Sequence, residues 1–124
     1  MAVSSVIEDA LAERARLHVR AWEIHGEACE VHGRSHKLYA QARQRQAAGL
    51  YAKAVQARLQ GSFCRATAFS LYAAASKLHA EADLHLIEVV LTVLGAKTRV
   101  EFDADDTSVV MVDGEAYVTH FADV

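Results

Sequence analysis

Residues 21–42 read AWEIHGEACEVHGRSHKLYAQA, and residues 54–75 read AVQARLQGSFCRATAFSLYAAA. In the first stretch Ala21, Ile24, Ala28, Val31, Ser35, Leu38 and Ala42 recur at alternating spacings of three and four. The second repeats the grammar in Ala54, Ala57, Gly61, Cys64, Ala68, Leu71 and Ala75. That period places each set on one stripe of an α-helix. Large residues tend to hold one heptad position and small ones the other, a pattern that lets two helix backbones approach closely with side chains interdigitating. The two stripes predict two helical arms packed on each other.

Outward from these stretches the pattern continues. Val3, Ile7, Ala10 and Leu17 extend the first stripe upstream, with Arg14 in the missing step, while Leu78, Ala82, His85 and Val89 extend the second downstream. The chain holds no proline and 24 alanines, 20 of them before Gly95, so nothing forces a helix break up to that point. Gly49 divides residues 3–94 into nearly equal arms, which favours a long antiparallel hairpin. Gly33-Arg34-Ser35 and Gly61-Ser62 are competing breaks, because Ser after Gly is a serviceable N-cap. Using them gives shorter helices, and both readings are open at this level. A 45-residue arm is roughly 68 Å long and has little lateral support alone, so the long-hairpin reading implies a homo-oligomer, a dimer as first guess.

The chain changes character near Gly95. Thr98, Val100 and Phe102 alternate with Arg99, Glu101 and Asp103; Asp-Ala-Asp-Asp at 103–106 is a turn signal. Thr107 to Val112 is followed by Asp113-Gly114, a favoured hairpin dipeptide, and by Glu115 to Phe121. The expected architecture is therefore α+β, predominantly α: an Ala-rich antiparallel helical hairpin or small bundle over 3–94, then a three-stranded antiparallel β-meander over 97–121. At 124 residues this reads as a single domain, 1–124.

Composition excludes several classes. With 52% apolar and 23% charged residues the chain is not of disordered type. The most apolar stretch, Leu84 to Leu94, is interrupted by His85 and Glu88 and is too short to span a bilayer. Glu8 and Asp9 follow the N-terminus almost at once, without a basic-then-apolar signal. Cys29 and Cys64 stand 35 residues apart, with no Cys-x-x-Cys spacing, and read as small hydrophobes rather than a disulfide framework. The expectation is a cytoplasmic protein without membrane contact.

Total charge is a mild −3, but its distribution is uneven. Residues 31–80 hold eight basic side chains and no Asp or Glu, whereas residues 1–30 are net −3 and residues 81–124 net −8. Ordinary surface helices mix signs, because opposite charges one turn apart support each other. Five of the nine aromatic residues share the basic segment: Tyr39, Tyr51, Phe63, Phe69 and Tyr72. Cations with aromatics between them can hold phosphates while bases stack, and they also suit an acidic protein surface. The candidate residues for an anionic ligand or partner are Arg34, Lys37, Arg43, Arg45, Lys53, Arg58 and Arg65, with Tyr39, Tyr51 and Tyr72.

His18, His25 and His32 are seven apart, with Trp22, Cys29 and His36 in the adjacent row. Pairs among His25, Cys29, His32 and His36 at one-turn spacing can chelate zinc or copper. All four cannot hold one ion, because eleven residues of helix rise roughly 16 Å. A metal-binding helical protein is thus the alternative to packing along a seam, and no cofactor is assigned.

Catalytic signatures are missing. No Glu is followed by His at the third position, as a di-iron bundle requires, and there is no His-Glu-x-x-His, Gly-x-Ser-x-Gly, Walker loop or dinucleotide glycine fingerprint. Asp103, Asp105 and Asp106 lack the glycine and closing glutamate of a calcium loop. The reading is a non-enzymatic interaction protein of inhibitor or adaptor type. Its basic middle engages an anionic protein surface, a nucleotide or a nucleic acid.

Overall fold

The computed structural model describes residues 3–95, 98–102, 108–112 and 115–120, with side-chain surroundings over 5–95. Helix α1 runs Val3–Ala47 and helix α2 runs Tyr51–Val93. Both pass through their interior glycines without a break, so neither Gly33 nor Gly61 ends a helix and the long-hairpin reading holds.

The turn lies where the arms divide. Gly49 has φ 79°, a left-handed conformation that side chains with a Cβ adopt only with strain. Its N–H donates to the Gln46 carbonyl (3.0 Å) and the Leu50 N–H donates to the Arg45 carbonyl (2.8 Å). Those two bonds form a Schellman cap, which satisfies carbonyls that the end of α1 would otherwise leave open. Ala54 then donates to the Leu50 carbonyl at 2.9 Å in the first turn of α2. Gly95 has φ 83° and donates to the Thr92 carbonyl at 3.0 Å, closing α2 in a similar way.

Strands β1 (Thr98–Phe102), β2 (Ser108–Val112) and β3 (Glu115–His120) follow in antiparallel order β1-β2-β3. Thr98 pairs with Val112 and Phe102 with Ser108 across β1 and β2; Val112 pairs with Glu115 across β2 and β3. A register irregularity lies between Ser108 and Val109. The turn signals at 103–106 and Asp113-Gly114 lie outside the described residues.

The chain divides into two compact units, Met1–Trp22 with Ala75–Val124, and Glu23–Ala74. In Glu23–Ala74, which contains the turn, the core is Ala28, Ser35 and Ala42 from α1 and Ala54, Ala57, Gly61 and Ala68 from α2, all buried. The large members of the stripes behave differently from the expectation of an interdigitated seam. Ile24, Val31, Leu38, Cys64 and Leu71 are only half-buried. Small residues bring the two backbones so close that larger side chains are displaced to the seam's flanks. Gly61 marks the close approach: a Cβ there would stand 3.3 Å from the Tyr39 ring and 3.4 Å from Leu38 Cβ.

In the other unit Ala10, Ala21, Ala75, Ala80 and Ala82 are buried, and Leu84, 3% exposed, is a large apolar residue that reaches the core. The exposed large apolar residues there include Leu11, Val19 and Trp22.

Candidate functional site

The site is built on heptad geometry. In Glu23–Ala74, His25, His32 and Tyr39 stand seven apart on α1, one step to one side of the small-residue seam. Arg58, Arg65 and Tyr72 stand seven apart on α2, on the matching side of its own seam. Antiparallel helices bring these rows together along one face.

Tyr72 is the centre of the contacts. Its ring meets His25 edge-on, with centroids 5.1 Å apart. Its hydroxyl donates to Cys29 Sγ at 3.4 Å and lies 3.4 Å from His32 Nδ1. The hydrogen bond to Cys29, with burial second, raises the Tyr72 phenol above its ordinary value. His32 also packs on His36 (4.6 Å between centroids) and Phe69 (5.8 Å), and the Arg65 guanidinium lies 5.5 Å from the Phe69 ring centre. Nearer the turn, the Tyr39 hydroxyl bonds Ser62 Oγ at 2.9 Å, and Arg58 donates to Gln46 Oε1 at 3.0 Å.

Ten residues were expected to contact an anionic ligand or partner, and the helices divide them. Tyr51, Arg58, Arg65 and Tyr72 share one row of α2, and Tyr39 lies on the facing row of α1 with Arg43 beside it. Arg34, Arg45 and Lys53 lie on the opposite side of the seam, flanking or continuing the row of Ile24, Val31 and Leu38. Arg45, in the last turn of α1, donates to the carbonyl of Lys53 in the first turn of α2 at 3.5 Å. Lys37 points away from both rows. Among the described residues the side chains of Arg34, Lys37, Arg43 and Lys53 have no acidic partner.

The histidine row does not converge on an ion. Among the described residues no group of three or more His, Cys, Asp or Glu side chains could hold a metal. His25, Cys29 and His32 instead surround the Tyr72 ring and hydroxyl.

The other unit carries a polar cluster of its own. His18 Nδ1 and His79 Nδ1 are 2.7 Å apart, a hydrogen bond that requires one of the two nitrogens to be bare. His18 Nε2 lies 3.0 Å from Asp83 Oδ1, which also accepts from Arg14 Nε at 2.8 Å. Burial works to raise the Asp83 carboxyl, but the hydrogen bonds from Arg14 and His18 and their charge outweigh it and hold the group below its ordinary value. Trp22 packs edge-on against His79 at 4.9 Å. Sequence reasoning placed His18 in a row but did not assign Asp83 to it. The signal lay in the antiparallel register, since a turn at Gly49 sets His18 opposite His79 and His25 opposite Tyr72.

Fold and site together define a two-helix hairpin with a small-residue seam and a cationic, aromatic face. No family model matches the chain, and no curated protein and no solved structure is significantly similar to it. Among the described residues no helix is long and apolar enough to cross a membrane.

Proposed function

We propose that this chain is a non-enzymatic interaction protein, of inhibitor or adaptor type, whose basic segment 31–80 engages an anionic protein surface, nucleotide or nucleic acid. The observation that carries the reading is the row Tyr51, Arg58, Arg65 and Tyr72 on α2 beside Tyr39 and Arg43 of α1, inside fifty consecutive residues without an acid. Two arginines seven residues apart are about 10 Å apart along a helix, a spacing that reaches successive anionic groups on an extended partner. The flanking aromatics add stacking surface for bases.

The reading includes assembly as a homo-oligomer. Ile24, Val31, Leu38, Cys64 and Leu71 form a half-buried apolar row on the side of the seam away from Tyr72, which suits the inner face of a helical bundle. It also includes the C-terminal strands as a β-meander completing an α+β fold, and a cytoplasmic setting. The test is binding of single-stranded oligonucleotide, nucleotide, heparin and an acidic peptide to the chain and to its Arg58→Glu/Arg65→Glu variant. The proposal expects binding to at least one probe, weakened tenfold or more in the variant. Absence of binding to all four would overturn it.

A further inference from the structure

Helix α2 is apolar on two sides. One is the seam against α1. The other is turned away from α1 and carries Val55, Leu59 and Phe63, which are 52%, 67% and 76% exposed. These positions, four residues apart, form a continuous stripe along successive turns. Phe69, also exposed, widens the stripe toward Arg58 and Arg65. Large contiguous apolar surface rimmed by charge marks an interaction site, whereas scattered apolar residues do not.

We infer that this outward face of α2 docks an acidic amphipathic helix of a partner protein. Two features identify the occupant. Ala66 and Ala73 share the heptad row of Leu59 and are exposed, so beside the large Leu59 and Phe63 the face has small positions that let another helix backbone approach closely. That relief receives the ridges of another helix; a lipid surface has no use for it. The charges bordering the stripe are Arg58 and Arg65, on the edge nearer Tyr72, with no acid nearby in sequence. A helix lying along α2 therefore presents carboxylates at its own flanking positions, two turns apart, to pair with the arginines. The inference rests on the proposed function for the sign of the partner's charge and goes beyond it in naming the surface and the partner's secondary structure.

The test uses the full chain and a labelled 18-residue peptide with leucine at heptad core positions and glutamate at the flanks. A lysine counterpart, vesicles of anionic phospholipid and light scattering complete the set. The expected result is saturable binding of the glutamate peptide, at least tenfold weaker in Leu59→Ser/Phe63→Ser and at least tenfold weaker for the lysine peptide. All substituted side chains are exposed, and retained helical circular dichroism shows that the variant is folded. Equal affinity for both peptides, or binding unchanged in the variant, overturns the inference. So does vesicle binding that the variant loses, which puts a membrane on the face. A fall in mass in Leu59→Ser/Phe63→Ser overturns it as well, because a second copy then occupies the face. Failure of the oligonucleotide, nucleotide and heparin titrations while this peptide binds removes only those ligands from the proposed function. Binding of the glutamate peptide that persists unchanged in Arg58→Glu/Arg65→Glu overturns the inference.

Discussion

Ser35 is 1% exposed and its hydroxyl has no hydrogen-bond partner among the described residues. A buried hydroxyl without a partner is destabilising, and alanine is also the better helix former. Ser35→Ala is therefore expected to stabilise the chain by about 1 kcal/mol, read as a higher urea midpoint with unchanged slope. A lower midpoint would contradict this account of the seam. Asp83 gives a second residue-level prediction. Its folded carboxyl is held below the ordinary value, so its contribution is present above the unfolded carboxyl range, near about 3.9, and is lost as pH falls through the lower folded value. The side chain is 51% exposed, so screening keeps the effect below about 1 kcal/mol. Asp83→Asn should flatten the acid limb of a stability–pH curve. An unchanged limb would show that the contacts with Arg14 and His18 add nothing.

At the scale of the elements, the turn and the seam are the decisive features. Gly49→Ala places a Cβ in the left-handed region and should destabilise by about 1 kcal/mol, measured by denaturant titration. Ala68→Leu inserts volume between backbones and should lose about 1–3 kcal/mol. Ala66→Leu, exposed two residues earlier on the same helix, should stay within about 0.5 kcal/mol. If the two leucine variants were equally stable, the small-residue seam would not be the packing surface. This contrast also shows how much was legible in the sequence. The helical period identified the seam. Gly49 is favoured as the turn because it divides residues 3–94 into nearly equal arms, with Gly33 and Gly61 still open. Its left-handed cap shows why the chain turns there. Gly33 and Gly61 misled as break signals: without a proline or a polar cap that captures the backbone, a helix continues through glycine at a modest loss. The half-exposure of Ile24, Val31 and Leu38 was not legible, since periodicity gives a face but not the distance between two backbones. The pairing of His25 with Tyr72 follows from the register once the turn is fixed at Gly49, but the side-chain contacts of the Tyr72 hydroxyl with Cys29 and His32 do not.

For the whole molecule, the small net charge conceals a basic middle set between acidic flanks. The helices sort that middle further: Arg58 and Arg65 align with Tyr51 and Tyr72, while Arg34, Arg45 and Lys53 lie across the seam. Anion binding should accordingly depend on the first set more than the second, so Arg34→Gln/Lys53→Gln should weaken it less than Arg58→Gln/Arg65→Gln. Equal losses would assign the attraction to diffuse charge rather than to a face. The most direct test of the central claim is the affinity of the full chain for an anionic probe, single-stranded oligonucleotide or acidic peptide, titrated between low and high salt. The account predicts binding at low salt that falls about tenfold or more as salt rises, and that Arg58→Glu/Arg65→Glu abolishes. Binding that is insensitive to both salt and charge reversal, or no binding at low salt, would contradict it.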